Sequence, residues 1–438
     1  MKNFTELRTM KIFSFLLALV IIFNYSPSVA QLPPVGNSGT QLKSGQKSIP
    51  IIPGAERMEI YLPLLKGKSV AVFANQTSLV KNSHLVDTLL KCGIKVVKIF
   101  GPEHGFRGEA DAGEKLGNTN DKKTGIPVIS LYGNHKKPTA EDLLGVDMLI
   151  FDIQDVGVRF YTFISSLEYY LEASLENHIP LLILDRPNPN GFYVDGPVLD
   201  KKFKSFVGMQ PIPVVYGMTV GEYALMLAGE KWLSTLANAA YINQPASKDR
   251  QKRILQLKII PCKNYDHNSK YVLPVAPSPN LKSMQAIYLY PSTCFFEGTL
   301  LSEGRGTEAP FQIFGHPSLP NNLYSFIPKP TAGAKNSKCF YQKCYGWYKA
   351  GSNEAVLQDL NNTIQIKYML DAYQLFPGKD SFFLKNNFFN QLAGTDLLMA
   401  QIKQEVNEND IRKSWKPLVD SFKKIRKKYL LYKDFATN

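Results

Sequence analysis

Several motifs that would identify a cofactor or a nucleophile are missing from this sequence. Five cysteines occur among 438 residues and none forms a CxxC pair, so a cysteine zinc site is not indicated. The HExxH signature of zinc hydrolases and the GxSxG signature of serine hydrolases are both absent. The first predicted strand is not followed by GxGxxG, and no GxxxxGK(S/T) occurs, so neither a dinucleotide nor ATP is indicated. We therefore expect no cofactor and no metal ion.

Acidic residues are also in short supply. Lys and Arg together number 51 against 37 Asp and Glu, which gives a formal net charge of +14. A protein this basic is attracted to polyanions. Nucleic acid is one such partner. However, the N-terminal pattern described below predicts export, and an exported protein rarely meets nucleic acid, so anionic cell-wall polymers or membrane surfaces fit better. Much of the excess lies between Lys416 and Lys427, a run that by itself indicates a solvated basic helix face.

The N-terminus has the pattern of a secretory signal peptide. A basic region precedes an apolar run at 12–23, and small residues at 28–30 suit cleavage. The run is short for a membrane span, which needs about 20 residues, so an uncleaved anchor is the less favoured alternative. We predict a signal peptide at 1–30 and a flexible linker at 31–51. The protein is then exported to the periplasm or the extracellular space, without stable membrane insertion after cleavage.

The odd number of cysteines leaves at least one thiol without an intramolecular partner. Cys339 and Cys344 are close enough in sequence to bridge in an oxidising compartment. The sequence leaves open whether they do.

Short apolar runs alternate with helical patterns over much of the chain. The predicted strands lie at 69–73, 95–100, 127–131, 147–152 and 179–185. Helical segments separate them, including a short helix expected at 140–145. This alternation is typical of a parallel sheet covered by helices on both faces. We predict an α/β protein with a Rossmann-like parallel-sheet domain at 52–290 and a smaller α/β domain at 291–438 that closes a cleft.

Polar side chains follow three of the predicted strands at the point where each strand ends. Glu103 and His104 follow the second strand. The fourth and fifth strands are followed by further polar residues, namely Asp152, Asp155, Arg159, Tyr161, Arg186 and Asn188. Because the carboxyl ends of parallel strands meet at one edge of a sheet, we expect a ligand site there. The structural alternatives are that the aspartates cap helices and that Asp185 with Arg186 forms an internal ion pair.

Two glycine-rich segments hold a high density of ionisable residues. GPEHGFRGEADAGE, at 101–114, contains three Glu, one Asp, one His and one Arg among four glycines. LSEGRGTE, at 301–308, presents Glu303 and Arg305 near the predicted domain boundary. Glycines alone indicate turns, but they also let a backbone approach a ligand closely. We expect both segments to contribute to the cleft.

Several long motifs occur in one order between about residue 52 and the end, namely GPEHGFRGEADAGE, FDIQDVGVRFYTFISSL, LDRPNPNG, PSPNL, FEGTLLSEGRGTEAPFQIFG and SWKPLVDSFKKIRKKYLLY. Through these motifs the sequence resembles the exo-β-N-acetylmuramidase family of bacterial cell-wall enzymes. This resemblance implies a Rossmann-like domain, a smaller C-terminal domain and an active site between them. It also implies exo-hydrolysis of a non-reducing terminal β-N-acetylmuramic acid from peptidoglycan fragments, in cell-wall turnover. Glu103 matches the family's proposed catalytic glutamate, whereas Glu308 stands where we expect a neutral or basic residue.

A mechanistic hypothesis follows from the residues and the resemblance together. Glycoside hydrolysis usually needs two carboxyl groups beside the scissile bond. We expect Glu103 to be the general acid, with His104 tuning it or binding sugar hydroxyls. The second carboxyl is left open among Glu303, Asp152 and Asp155, and the 2-acetamido group of the substrate is a further alternative.

Recognition of muramic acid calls for a cation, because this sugar carries a lactyl carboxylate. Arg159, Arg186 and Arg305 are the candidates, since a guanidinium can bind a carboxylate through two hydrogen bonds. Tyr161 is expected to stack against the sugar or hydrogen-bond to it. The full set of residues expected to bind substrate is Asp152, Asp155, Arg159, Tyr161, Arg186, Asn188 and Arg305.

Two other function classes remain open from the sequence. One is a non-catalytic protein that binds muropeptides in the same cleft, and the other is a cell-wall amidase or esterase. Carboxylates at several strand ends favour an enzyme, because a binder of an anionic sugar gains little from extra negative charge. The missing nucleophile motif argues against acyl transfer. The sequence does not indicate an oligomeric state.

Overall fold

The computed structural model describes residues 49–103, 105–106, 117–242 and 257–435. Ile49–Asn438 forms one compact unit. The predicted signal peptide, the linker up to residue 48 and His104 lie outside the described residues. Within the four described ranges, no helix has both the length and the apolar character needed to cross a membrane.

A seven-stranded sheet forms the centre of the fold. The strands described before residue 290 are β1 (Ser69–Ala74), β2 (Leu79–Val80), β3 (Ser83–His84), β4 (Lys95–Gly101), β5 (Thr119–Asn120), β6 (Pro127–Ser130), β7 (Met148–Asp152), β8 (Leu181–Leu184) and β9 (Leu257–Ile260). β2 and β3 pair as a separate hairpin, and the other seven have the order β5-β6-β4-β1-β7-β8-β9. Every neighbouring pair in the sheet is parallel except β5 with β6. The predicted Rossmann-like α/β fold is confirmed.

Helices cover both faces of this sheet. Those described up to Thr293 are α1 (Met58–Leu65), α2 (Leu85–Lys91), α3 (Phe163–Glu176), α4 (Val220–Gly229), α5 (Thr235–Ile242) and α6 (Met284–Thr293). Helix α3 buries nearly all of its 14 residues, and α4 begins with a capping box between Thr219 and Glu222. The prediction of a helix at 140–145 is wrong. Consecutive turns closed by i→i+3 hydrogen bonds replace it, because so short a run cannot nucleate an α-helix and ends at Gly145 with φ +75°.

Alternate residues of the central strands pack on opposite faces of the sheet. On one face Phe73 of β1 stacks on Phe151 of β7, with ring centroids 5.2 Å apart. On the other face Val72 and Ile150 belong to a second apolar cluster that includes α1 and α2. Burial on both faces explains why these strands appear in the sequence as unbroken apolar runs.

The C-terminal part combines a small antiparallel sheet with helices. Its strands are β10 (Ile313–His316), β11 (Tyr324–Phe326) and β12 (Cys344–Tyr348), in the order β10-β12-β11. The helices are α7 (Asn353–Leu360), α8 (Lys367–Leu375), α9 (Phe388–Ala393), α10 (Leu397–Lys403) and α11 (Glu408–Arg426). Helix α11 buries Ile411, Trp415, Val419 and Phe422, whose spacing of three or four residues defines one face. Cys339 and Cys344 are free thiols, as are the other three cysteines.

One apolar core connects the two parts of the chain. It extends from Phe73 of β1 to Phe422 of α11. Helix α6 runs across the predicted boundary between residues 290 and 291. The division into domains at 52–290 and 291–438 stays a prediction, and any cleft between them is built on a shared core.

Candidate active site

The strand order creates a crevice at the carboxyl edge of the sheet. From β1 the chain moves outward through β4 to β6, and then crosses back to β7 on the other side of β1. Loops leaving neighbouring strands part from each other at such a switch point, and open α/β sheets bind ligands there. Glu103 lies two residues beyond the end of β4, and Tyr132 lies two residues beyond the end of β6.

The side chain of Glu103 is oriented by two hydroxyl groups. Tyr132 OH donates to Oε1 at 2.9 Å, and Thr162 Oγ1 donates to Oε2 at 3.2 Å. Burial, and then the charge of Glu103, raise the pKa of Tyr132 above its ordinary value, so the phenol keeps its proton and remains a donor. Thr162 immediately precedes α3, so the carboxylate is tied to two separate elements of the fold.

A cavity of about 430 Å³ opens beside Glu103. Its wall combines residues from before and after position 290. Among the described residues, the charged ones that line it are Glu103, Lys136, Glu297 and Arg305. Aromatic side chains make up much of the remaining wall, including Tyr132, Phe160, Tyr161, Phe163, Phe206, Tyr290, Phe311 and Phe388. Apolar faces with a few converging polar groups are typical of small-ligand sites, and aromatic faces suit a sugar ring.

Arg305, on another part of this wall, forms ion pairs with two carboxylates. Its Nη2 lies 2.7 Å from Glu297 Oε1, and its Nε lies 3.1 Å from Glu303 Oε1. Lys338 Nζ lies 2.9 Å from the other oxygen of Glu303. Glu297 lines the cavity, whereas Glu303 is buried behind Arg305 and is not among the lining residues.

The two carboxylates that share Arg305 differ in their electrostatics. Burial raises the pKa of Glu297 above its ordinary value despite the nearby guanidinium. Burial also disfavours the charged form of Glu303, but Lys338 and Arg305 outweigh that effect and hold its pKa below the ordinary value. These surroundings favour the anionic form at Glu303 and the protonated form at Glu297 relative to an ordinary glutamate.

Tyr161 and Arg305 are the predicted substrate-binding residues that line the cavity together with Glu103. Tyr161 OH donates to the carbonyl of Pro277 at 2.9 Å, and its ring packs edge-to-face on Tyr290 with centroids 6.0 Å apart. Arg305 Cζ lies 5.1 Å from the centroid of the Phe311 ring. The structure thus brings Glu103, Tyr161 and Arg305 into one site.

Asp152 and Arg186 form a buried ion pair instead of lining the cavity. Arg186 Nε and Nη2 donate to the two carboxylate oxygens at 2.6 and 2.9 Å, and Nη2 also donates to Leu79 O at 2.9 Å. Asn188 is likewise buried, with its Nδ2 donating to Met218 O at 2.8 Å. These three side chains hold the ends of β7 and β8 in place, so we revise their proposed role from substrate contact to positioning.

Asp155 and Arg159 also have partners within the protein. Asp155 Oδ2 accepts from Gly157 N at 2.6 Å and from Tyr216 OH, and burial raises its pKa to about 6. Arg159 is fully buried and donates to three backbone carbonyls, those of Pro197, Ile212 and Leu392, at 2.7–2.8 Å. Burial lowers its pKa to about 9. We revise the role of both residues to positioning as well.

Sequence reasoning missed Tyr132, Thr162, Lys136 and Glu297. Tyr132 and Lys136 follow β6, whose carboxyl end points to the same edge as those of β4 and β7, so the strand-end rule contained their signal. Glu297 lies in the FEGT segment, whose position beside the cavity depends on packing between distant parts of the chain. Within the ranges that the structure describes, no cluster of three His, Cys, Asp or Glu side chains is arranged to hold a metal ion.

Comparison with known proteins agrees with this architecture. Family models described as exo-beta-N-acetylmuramidase NamZ match residues 70–285 with their N-terminal part and residues 288–432 with their C-terminal part. The peptidoglycan beta-N-acetylmuramidase NamZ of Bacillus subtilis (strain 168) is 38% identical over 388 residues, which cover 85% of this chain and 89% of that protein.

Two solved structures of DUF1343 family proteins from Bacteroides fragilis NCTC 9343 are also similar. The first is 45% identical with a TM-score of 0.77, and covers 88% of this chain and 100% of its own. The second is 29% identical with a TM-score of 0.71, and covers 87% of this chain and 99% of its own. With both family models matched in order over most of its length, the chain belongs to the exo-β-N-acetylmuramidase NamZ family.

Proposed function

We propose that the protein is a glycoside hydrolase that removes non-reducing terminal β-N-acetylmuramic acid from peptidoglycan fragments, in the cavity beside Glu103. The observation that carries this proposal is the orientation of Glu103 by Tyr132 and Thr162 in an aromatic cavity. Membership of the exo-β-N-acetylmuramidase family supplies the substrate. A volume of about 430 Å³ is at the small end of ligand pockets, which span about 300–1,000 Å³, and suits one terminal sugar.

In the proposed reaction Glu103 is the general acid that protonates the glycosidic oxygen as the bond to the anomeric carbon breaks. Glu297 is the candidate for the second carboxyl, because it lines the same cavity. It acts at the anomeric carbon, as a nucleophile or as the base for the incoming water, or it orients the 2-acetamido group as the nucleophile. In each case the oxygen of water finally takes the place of the departing glycosidic oxygen. Glu303 acts through Arg305 as a positioning residue. His104 keeps its proposed role in tuning Glu103 or binding sugar hydroxyls.

We also propose that the protein works outside the cytoplasm. The basic, apolar and small-residue pattern of the first 30 residues supports export. Peptidoglycan fragments are found in that location. The basic net charge supports attraction to anionic cell-wall polymers. Comparing the N-terminal sequence of the secreted and cytoplasmic forms tests the cleavage near residue 30, and an intact N-terminus on exported protein would contradict it.

Replacing Glu103 tests the proposed function. Glu103→Gln keeps the shape of the side chain but cannot transfer a proton, so kcat on a chromogenic β-N-acetylmuramide should fall by about 10²- to 10⁴-fold. Glu141→Gln, at an exposed turn, is the matched control and should keep wild-type turnover. Circular dichroism of both variants checks the fold. Near-normal turnover by Glu103→Gln would remove Glu103 from the chemistry.

The products identify the reaction class. Wild-type protein incubated with a muropeptide carrying a non-reducing muramic acid should release that sugar, which mass spectrometry detects. Loss of the peptide instead would indicate an amidase. An unchanged muropeptide that still binds, as measured by calorimetry, would indicate a non-catalytic binding protein.

A further inference from the structure

The cavity contains a basic side chain that acidic groups do not neutralise. Lys136 and Arg305 are the two basic residues among its described lining residues. Arg305 is engaged by Glu297 and Glu303. In contrast, no carboxylate in the described part of the chain forms an ion pair with Lys136, whose Nζ instead lies over an aromatic ring. Among the described residues that line the cavity, Lys136 is therefore the basic one left for an anionic ligand.

The segment around Lys136 is anchored at both ends. Lys137 Nζ lies 3.0 and 2.7 Å from the carboxylates of two glutamates in α3. At the other end, Tyr132 OH binds Glu103. Lys136 is half-buried between these anchors, and its Nζ lies 4.6 Å from the centroid of the Phe206 ring. A side chain held in this way loses less freedom when it binds a ligand than one on an unrestrained loop.

Phe206 provides an apolar surface next to this ammonium group. It lines the cavity, and its ring centroid lies 6.4 Å from that of Tyr132. Its backbone is fixed, because Ser165 Oγ of α3 donates to the carbonyl of Phe206 at 2.7 Å. An ammonium beside an aromatic face matches a ligand group that has both a carboxylate and a methyl.

We propose that Lys136 and Phe206 recognise the lactyl ether of N-acetylmuramic acid, with its carboxylate on Lys136 Nζ and its methyl group against the Phe206 ring. This inference rests on the proposed function. The lactyl ether distinguishes muramic acid from N-acetylglucosamine, and it is attached two ring positions from the anomeric carbon. The contacts from Glu103 through Tyr132 and Phe206 to Lys136 place the catalytic carboxyl and the cation in one site.

The arginines expected to bind this carboxylate are engaged elsewhere. Arg186 is paired with Asp152, and Arg159 donates to three backbone carbonyls. Neither is among the described residues that line the cavity. Arg305 lines it, but two carboxylates share its charge. The specificity assigned from the sequence to an arginine thus moves to Lys136.

Calorimetry with two ligands tests the assignment. N-acetylmuramic acid and its lactyl methyl ester differ in the charge of the lactyl group. Wild-type protein should bind the acid about 10- to 100-fold more tightly than the ester, the range for a hydrogen bond between charged groups. Lys136→Met should remove this preference by weakening the binding of the acid and not that of the ester. Lys136→Arg should retain the preference. Lys201→Met, which removes an exposed charge outside the cavity, is the control and should bind both ligands as wild type does.

The outcomes separate this inference from the proposed function. If Lys136→Met keeps the wild-type preference for the acid, or weakens both ligands equally, the inference is overturned. Turnover of a β-N-acetylmuramide by wild-type protein is measured in parallel. A protein that shows the Lys136-dependent preference but no turnover retains the inference and loses the proposed function. A protein with turnover but without the preference retains the function and loses the inference.

Discussion

Glu297 and Glu303 share one guanidinium but have different surroundings. Glu303 is held as an anion by Lys338 and Arg305, whereas Glu297 faces the cavity and burial raises its pKa. A cavity-facing carboxyl whose pKa is raised by burial suits acid–base work in a glycosidase. The ion pair with Arg305 orients the Glu297 side chain, which still lines the cavity.

Replacing Glu297 should slow the reaction. Glu297→Gln should lower kcat on a β-N-acetylmuramide by about 10²- to 10⁴-fold with little change in KM, because the amide keeps the size of the side chain and loses its charge. Steady-state kinetics measure this, with Glu308→Gln as a control that removes an exposed glutamate. Equal kcat values for the two variants would exclude a catalytic role for Glu297.

Asp155 makes the stability of the protein depend on pH. Burial raises its pKa to about 6 from the ordinary aspartate value of 3.8. Between about pH 4 and 6 the folded protein therefore holds a proton that the unfolded chain has released. This contribution is fully present below about pH 4 and is lost as pH rises through 6, by about 3 kcal/mol at most.

Asp155→Asn tests this dependence because the amide does not titrate. Relative to wild type, its free energy of unfolding in urea should fall less, or rise more, between pH 4 and 7. Asp380→Asn, at an exposed aspartate, should follow the wild-type curve. An Asp155→Asn curve parallel to wild type would show that burial does not perturb this carboxyl.

The residues of the site were predictable from the sequence where they closely follow the end of a predicted strand. Glu103 follows β4 directly, so its position required only the location of a strand. Asp152 and Arg186 fulfil the same rule, yet they bind each other, because a sequence does not distinguish a buried ion pair from two ligand-binding groups. Glu297 carries no local signal, since its approach to the cavity results from packing between residues far apart in the chain.

Arg159 connects three elements through backbone hydrogen bonds. Its guanidinium donates to the carbonyls of Pro197 and Ile212, which lie in two irregular segments, and to that of Leu392 near the end of α9. Arg159→Met should lower the free energy of unfolding on the order of 2–4 kcal/mol, because buried carbonyls lose their donors. Urea unfolding measures the loss. Arg159→Lys keeps the charge without the planar fork and should lose part of the stability, whereas a wild-type value for Arg159→Met would refute this role.

Secondary-structure elements were predictable where the spacing of apolar residues followed one clear pattern. The strands buried on both faces appear as continuous apolar runs, and α11 shows a helical spacing of apolar residues. The segment at 140–145 has a helical pattern, but it is too short for an α-helix and forms consecutive turns instead. The antiparallel sheet formed by β10, β11 and β12 was not predicted, because its strands are short and joined through pairings distant in sequence.

At the scale of the whole molecule, the order of the strands in the sheet and the common apolar core could not be predicted from the sequence. A parallel sheet was predictable from alternation, but several strand orders are compatible with one alternating pattern. The observed order places the crevice beside β1 and β7 and brings Glu103 near residues that are some 200 positions later in the chain. The predicted division at residues 290 and 291 stays a prediction, and one apolar core contains residues from both sides of it.

The end of the chain returns to the central sheet. Tyr432 OH donates to Asp185 Oδ2 and accepts from Cys262 N, and Leu431 N donates to Glu222 Oε1. Asp185 follows β8 and Cys262 follows β9, so one phenol hydroxyl connects the carboxyl ends of two neighbouring strands, whose residues lie 247 and 170 positions earlier in the chain. Tyr432→Phe would remove a hydrogen bond from both strand ends at once, so the edge of the sheet beside β9 depends on a side chain that belongs to the C-terminal part of the chain.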